Sequence, residues 1–211
     1  MDKKCYEIYK WMRNLRRYSF PFDKEQIPKN GIYILFEKGE IFEKDDRVVR
    51  VGTHTGFNKL PSRLNEHFLR ENKDRSIFRK NIGRAILNKE KNDFLKYWDI
   101  DLTTKDAREK YEHKVNFELK DETEMRVSDY IQKNFSFVVF ELDNKDSRLH
   151  FEKKLISTFS LCAESNPSIN WLGNHSPKTK IRDSGLWQVN QLWKDRLTDD
   201  EFIELETFIK K

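Results

Sequence analysis

Cysteine, proline and glycine are scarce in this 211-residue sequence, which contains two, five and seven of them respectively. Cys5 and Cys162 lie far apart in the sequence, without a CxxC pair and without a histidine at metal-ligand spacing. This pattern argues against a disulfide framework and against a structural zinc site. It favours a protein of a reducing compartment, and we expect an intracellular, cytoplasmic location.

Long apolar runs and the common nucleotide and protease motifs are also absent. No stretch approaches the length of a membrane span, and the N-terminal MDKKCYEIYK has no apolar core of a signal peptide. We therefore expect no membrane partner. A P-loop, GxGxxG, GxSxG and HExxH do not occur, which removes several common enzyme classes.

Aromatic and charged residues are abundant. The 16 Phe and 5 Trp residues supply the apolar area that a core needs, and the length fits one compact domain over residues 1–211. Basic residues are concentrated in 59–91, with ten Lys and Arg against four Asp and Glu. Such a segment suits a polyanion such as nucleic acid, although an ordinary solvated helix surface explains the charges equally well.

Hydrophobic periodicity predicts three strands, at 32–36, 48–52 and 135–141, the first two forming an antiparallel pair. In the first strand, Tyr33 shares one face with Leu35. In the second, Val49 and Val51 are expected on one face, and Val48 and Arg50 on the other. Helices are predicted over 3–18, from near Pro61, over 76–88, over 146–163 and from Thr198 onward.

Two segments depart from this regular pattern. Residues 92–134 are acidic and rich in helix formers but show little core pattern, so we interpret them as a peripheral helical insertion. Residues 166–184 are rich in Pro, Asn and Gly, and we expect Trp171 and Leu172 to anchor this long loop to the core. Gly83, inside a predicted helix, indicates close approach of another backbone.

Glu152 lies on the apolar stripe of its own helix, because Leu155, Ile156 and Phe159 follow it at helical spacing. A carboxylate on such a face is costly unless it is paired, protonated or bound to a metal ion. Two interpretations follow: a functional carboxylate, or a rim residue paired with an arginine.

Polar residues concentrate in the stretch 30–68, which contains GIY at 31–33, VG at 51–52 and RLNEH at 63–67. Arg63 and His67 are four residues apart and therefore share a helix face. Together with Glu152 on a later helix and an asparagine beyond it, this ordered set resembles the GIY-YIG nuclease family. The resemblance covers 30–88 and 135–174, with 92–134 as an insertion and 185–211 as a helical C-terminal extension.

The resemblance implies an α/β (α+β) fold, in which helices flank a small, three-stranded and largely antiparallel sheet. It also implies a metal-dependent endonuclease that hydrolyses phosphodiester bonds in DNA, with RNA less expected, using Mg²⁺ or Mn²⁺. Tyr33 would help to deprotonate the attacking water, Arg63 would clamp the phosphate, and Glu152 would hold the metal ion. His67 would bind phosphate or relay a proton.

Further residues are expected to bind the substrate. They are Arg50, His54, Arg75, Arg79 and Asn170, with Asn174 as the alternative asparagine. Arg50 departs from the family pattern, because its position is normally a tyrosine. This departure leaves a non-catalytic nucleic-acid-binding module as the alternative function, and a partner-binding protein working through 92–134 as a third.

Overall fold

The computed structural model describes residues 3–210, in which helices pack around a four-stranded antiparallel sheet. The strands are β1 (Arg17–Ser19), β2 (Gly31–Phe42), β3 (Asp45–Gly52) and β4 (Phe135–Glu141), in the order β1-β4-β2-β3. The prediction of a three-stranded sheet was therefore wrong by one strand. The strand β1 was predicted as the end of the first helix, and a three-residue strand carries too little alternation to be read from sequence.

Nine α-helices accompany the sheet within residues 3–210. They are α1 (Lys3–Arg13), α2 (Leu60–Phe68), α3 (Ile77–Lys89), α4 (Leu95–Trp98), α5 (Lys105–Tyr111), α6 (Phe117–Asn134), α7 (Lys145–Ser160), α8 (Thr179–Ser184) and α9 (Asp199–Ile209). Short 3-10 turns occupy Lys24–Gln26, Glu112–Lys114 and Leu172–His175. No helix within this part of the chain is both long and apolar enough to cross a membrane.

Each face of the sheet carries its own core. Ile32, Ile34 and Phe36 of β2 pack in a cluster with α1, α7 and α9, whereas Tyr33 and Leu35 pack in a second cluster with α2, α3 and α6. Alternate residues of β4 likewise enter both clusters, which confirms the prediction that β4 is covered on both sides.

A bulge in β3 changes the predicted facing of its residues. The register between β2 and β3 shifts between Leu35 and Phe36, which pair with Arg50 and Val48 respectively. Val48 and Val51 consequently enter one cluster and Val49 the other, so the prediction that Val49 and Val51 share a face was wrong. An extra residue in one strand reverses the alternation beyond it.

Helix α6 contributes to the core, although sequence patterning predicted a peripheral segment. Val127 and Ile131 of α6 and Trp98 of α4 are fully buried in the second cluster. The indole of Trp98 lies directly over Gly83, where an added Cβ would come within 2.4 Å of the ring. A side chain, rather than a second backbone, therefore explains the glycine in α3.

Candidate functional site

Tyr33 lies near the start of β2, directly opposite Gly52 at the end of β3. Its hydroxyl crosses over Gly52, and a Cβ at that position would lie 2.2 Å from the phenolic oxygen. Glycine is thus required at 52 because any side chain would displace the tyrosine. The two short motifs of the sequence, GIY and VG, meet at this point.

A buried hydrogen-bond chain leads from Tyr33 into the second core. The Tyr33 hydroxyl lies 2.7 Å from His67 Nε2, and His67 Nδ1 lies 2.8 Å from Ser76 Oγ. Burial, reinforced by the charges of Arg63, Arg50 and Arg79, lowers the pKa of His67 well below 6.5. The imidazole is therefore neutral at physiological pH, and one of its nitrogens is a proton acceptor.

Arg63 lies between this chain and solvent. It is half-buried on α2, where its Nη1 donates to Glu66 at 2.9 Å and to the Arg75 carbonyl at 3.0 Å. Burial lowers the pKa of Arg63, but the adjacent Tyr33 and Glu66 outweigh this effect and raise it above its ordinary value. The guanidinium is a permanent cation beside the Tyr33 hydroxyl.

Glu152 approaches the same place from the other side, on α7. The backbone N–H of Thr53, one residue beyond β3, donates to its Oε1 at 3.0 Å. Burial raises the pKa of Glu152, opposed by Arg50, the Thr53 bond and Arg63. Its Oε2 accepts no hydrogen bond from residues 3–210, so one carboxylate oxygen is free for a ligand.

A cleft of about 630 Å³ joins these elements. Its polar lining comes from the loop after β3, from α2 and from α7, and includes His54, Lys59, Arg63, Glu66 and Glu152. Tyr33 is buried behind the lining and contacts it through Arg63. The structure therefore brings Arg63 and Glu152 together on one cleft, with Tyr33 and His67 immediately behind them.

Two predicted substrate-binding residues lie inside the protein instead. Arg50 is 7% exposed, donates from Nη1 to the Trp187 carbonyl at 2.6 Å, and faces the ring of Phe78. Arg79 is fully buried and pairs with Glu124 at 2.8 Å. Neither side chain lines the cleft. Arg50 nevertheless lies close enough to act on the pKa values of Glu152 and His67.

His54 and Arg75 have different surroundings. His54 lines the cleft, but its ring nitrogens lie 2.6 Å from the Gly56 carbonyl and 3.4 Å from the Gly31 amide. It thereby braces its own loop, and burial lowers its pKa. Arg75 is exposed, and its carbonyl orients Arg63.

The predicted asparagines lie away from the cleft. Asn170 is exposed, and Asn174 donates to the Ser168 and Ile169 carbonyls of its own loop. The amide and hydroxyl of Ser168 in turn bind Glu40, near the opposite end of β2 from Tyr33. Glu40 is seven positions beyond Tyr33, roughly 23 Å along an extended strand. No residue of this loop lines the cleft with Glu152.

Sequence reasoning missed three residues of the site. Thr53 orients Glu152, Lys59 adds a cation to the cleft, and Gln188 accepts the Val51 N–H at 3.0 Å beside Gly52. Thr53 and Lys59 border the two motifs and could have been found from that proximity. Gln188 carries no sequence signal, since it reaches β3 from 137 residues away.

The residues present fit one kind of metal site. Among residues 3–210, no three His, Cys, Asp or Glu side chains are grouped so that they could hold an ion between them. Glu152 offers one free carboxylate oxygen in an open, polar cleft, whereas the other carboxylate of the lining, Glu66, is paired with Arg63. Mg²⁺ suits such a site, because it retains water ligands and takes others from substrate phosphates.

Comparison with known proteins adds the family. Searches of curated proteins and of solved structures gave no significant match. A protein-family model described as the GIY-YIG domain matches residues 5–211, nearly the whole chain. With the Gly-Ile-Tyr strand, the Gly52 contact and the Arg63–Glu152 cleft in place, this protein belongs to the GIY-YIG family.

Proposed function

We propose that this protein is a metal-dependent endonuclease that hydrolyses phosphodiester bonds in DNA. The observation that carries the proposal is the convergence on one cleft of Arg63 and Glu152, with the Tyr33–His67 hydrogen bond directly behind. A permanent cation, a free carboxylate oxygen and a phenol with its own proton acceptor are the groups that this hydrolysis needs.

Arg63 is the group that would bind the scissile phosphate. Its guanidinium carries a fixed charge, lines the cleft and is held by Glu66 and the Arg75 carbonyl. Negative charge develops on the phosphate oxygens during attack, and a planar donor fork is well suited to stabilise it. Lys59, also on the cleft, provides a second, more mobile cation for the flanking backbone.

Glu152 is the residue that would hold the divalent ion, which supplies Lewis acidity at the phosphate and a water of lowered pKa. The Thr53 N–H fixes the carboxylate through Oε1 and leaves Oε2 for the ion. Burial raises the pKa of Glu152 and thereby opposes its ionised form. A bound divalent ion would have the opposite effect, because nearby positive charge favours the carboxylate. We expect Mg²⁺, with Mn²⁺ as a substitute.

Tyr33 would accept the proton of the attacking water and pass its own proton to His67. The 2.7 Å contact supports this direction, because His67 Nε2 is an acceptor whenever Nδ1 carries the ring proton. The lowered pKa of His67 makes its charged form costly, so the proton would be held there only transiently. Ser76 Oγ, 2.8 Å from Nδ1, stabilises that tautomer by accepting from it. His67 is fully buried and acts through Tyr33 rather than on phosphate.

The test is incubation of the full chain with plasmid and branched DNA in Mg²⁺ or Mn²⁺. We expect cleavage by the native protein, reduced about 100- to 1,000-fold by Arg63→Ala, the loss typical of a transition-state charge donor. Glu152→Gln should also abolish most cleavage, whereas Glu204→Gln, on the exposed surface of α9, should not. Cleavage that survives both site substitutions would contradict the proposal.

A second candidate function is a non-catalytic nucleic-acid-binding module. The burial of Arg50 favours it, since the family's tyrosine position here contributes no group to the cleft. This alternative predicts binding of DNA that falls with salt, needs no metal ion and is accompanied by no cleavage. The same incubation, with a binding assay in EDTA beside it, separates the two.

A further inference from the structure

Phe57 is the most exposed aromatic side chain near the cleft. It is 74% exposed and belongs to the loop 53–59 that joins β3 to α2. Its neighbours Gly56 and Lys59 line the cleft with Arg63 and Glu152, whereas Phe57 itself lines the adjacent depression. The ring thus forms a ridge between two concave surfaces.

The backbone on both sides of Phe57 is clamped. On the N-terminal side, His54 joins the Gly56 carbonyl to the Gly31 amide through its two ring nitrogens. On the C-terminal side, Asn58 has a left-handed conformation with φ of 55°. Asn30 holds it there through a reciprocal pair of hydrogen bonds, of 2.8 and 2.9 Å.

This clamping fixes the backbone that presents the exposed ring. A side chain presented by a rigid loop loses little conformational entropy on contact, which is the condition for an efficient anchor. Asn30 also donates to Asp143 at 2.9 Å, so three segments of the chain support the ridge. The brace explains why His54 is buried although residues 55–59 of the same loop are exposed.

The two sides of the ridge differ in charge. The cleft side has two cations, Lys59 and Arg63. Its two carboxylates are Glu66, which is paired with Arg63, and Glu152, which would hold the ion under the proposed function. The depression on the other side, of about 640 Å³, is lined by Glu25, Glu141 and Asp143 against one cation, Lys29. Phosphates are attracted to the first surface and repelled from the second. A nucleotide bridging the ridge would therefore have its base, rather than its backbone, toward the acidic side.

We propose that Phe57 is a stacking residue that contacts an unpaired or displaced base next to the scissile phosphate. The proposal rests on the proposed function for the phosphate side of the cleft. Phenylalanine has no group to read a base edge, so it recognises only a base face. In regular duplex both faces are stacked, so the substrate class is DNA with an exposed base: a bulge, mismatch, gap or branch.

The test measures binding to two DNA duplexes that differ by a single unpaired nucleotide, in EDTA so that no cleavage occurs. The variants of the full chain are Phe57→Ala and Phe57→Trp, with Ile203→Ala, an exposed apolar residue on α9, as the matched control. We expect the native protein to prefer the bulged duplex. Phe57→Ala should weaken that complex roughly 5- to 100-fold.

Phe57→Trp and Ile203→Ala should retain the preference, and equal thermal midpoints would show that all four proteins are folded. Equal affinity of the native protein for both duplexes, or a preference unchanged in Phe57→Ala, would overturn the inference. Cleavage in Mg²⁺ is measured in parallel on the bulged duplex. Absence of cleavage by the native protein would overturn the proposed function instead, so the two failures are distinguishable.

Discussion

At the scale of single residues, the site contains ionisable groups whose pKa values are shifted in opposite directions. Burial raises the pKa of Glu152, and burial with three nearby arginines lowers the pKa of His67. Both shifts oppose the charged form, and each is a cost to folding over some range of pH. Groups of this kind, arranged on a cleft, are typical of catalytic sites.

The shift at His67 predicts a pH-dependent stability. The unfolded chain takes up a proton at this residue near its ordinary pKa, whereas the folded protein does not, so stability falls as pH drops below about 6.5. A single such group contributes a slope of at most about 1.4 kcal/mol per pH unit. His67→Gln should therefore lose less stability than the native protein between pH 7 and 5.

Urea unfolding at a series of pH values measures this difference. His54 contributes in the same direction, since burial also lowers its pKa. In His67→Gln, the dependence of stability on pH should therefore be weaker than in the native protein but not abolished. His113→Gln, on the exposed surface, controls for loss of an imidazole. Identical slopes for the native protein and His67→Gln would show that His67 is not held neutral by the fold.

The residues of the site were predictable to different degrees. Tyr33, Arg63 and Glu152 follow from ordered motifs and from a carboxylate on an apolar stripe, and all three lie at or directly behind one cleft. Arg50, Arg79 and Asn170 were assigned by type and position in sequence. Arg50 and Arg79 are buried, and their burial depends on the β3 bulge and on distant segments, whereas Asn170 is exposed but does not line the cleft.

At the scale of elements, the sequence predicted features that depend on neighbouring residues, such as helix caps and the bounds of a strand. Ser76 caps α3 by accepting from the Arg79 amide, and Thr198 with Glu201 forms a capping box on α9. The strand β4 has the predicted bounds. By contrast, Trp187 donates to the Val49 carbonyl and covers the outer edge of β3, an arrangement that no local pattern indicates.

A buried ion pair between α3 and α6 is expected to contribute to stability. Arg79 donates to Glu124 from Nε and Nη2, and both side chains are buried. Glu124→Ala would leave the Arg79 charge without its partner in the core, which typically costs about 3–5 kcal/mol. We expect a loss of that size in the free energy of urea unfolding.

The matched control is Glu118→Ala, an exposed glutamate of the same helix, which should change stability little. Because Arg79 also donates to the His67 carbonyl at 3.2 Å, Glu124→Ala should disturb the Tyr33–His67 pair as well. A loss no larger than that of the control would contradict the view that α6 is part of the core supporting the site.

At the scale of the whole molecule, the cations of the basic segment 59–91 include some that are paired with carboxylates and others that line the cleft. Several of its cations form internal ion pairs: Lys73 and Lys80 with Asp74, and Arg84 with Asp99. Lys59 and Arg63 line the cleft. The sequence predicts that this region faces a polyanion, but several of its cations are already paired with carboxylates of the protein.

We propose a division of roles within one cleft: Arg63 would bind phosphate, Glu152 would hold the ion, and Tyr33 with His67 would transfer the proton. These residues come from β2, α2 and α7, and the sheet and the two cores fix their relative positions. Substitution of each should then produce a different defect, which a single kinetic experiment can distinguish.

The most direct test is the single-turnover rate of DNA cleavage as a function of Mg²⁺ concentration, for the native protein, Glu152→Gln and Tyr33→Phe. We expect Glu152→Gln to lose at least about 10- to 100-fold in apparent affinity for Mg²⁺ or in rate, with DNA binding in EDTA retained. Tyr33→Phe should lower the rate at every Mg²⁺ concentration without changing the midpoint. Cleavage by the native protein that needs no divalent ion, or an unchanged Mg²⁺ dependence in Glu152→Gln, would contradict the account.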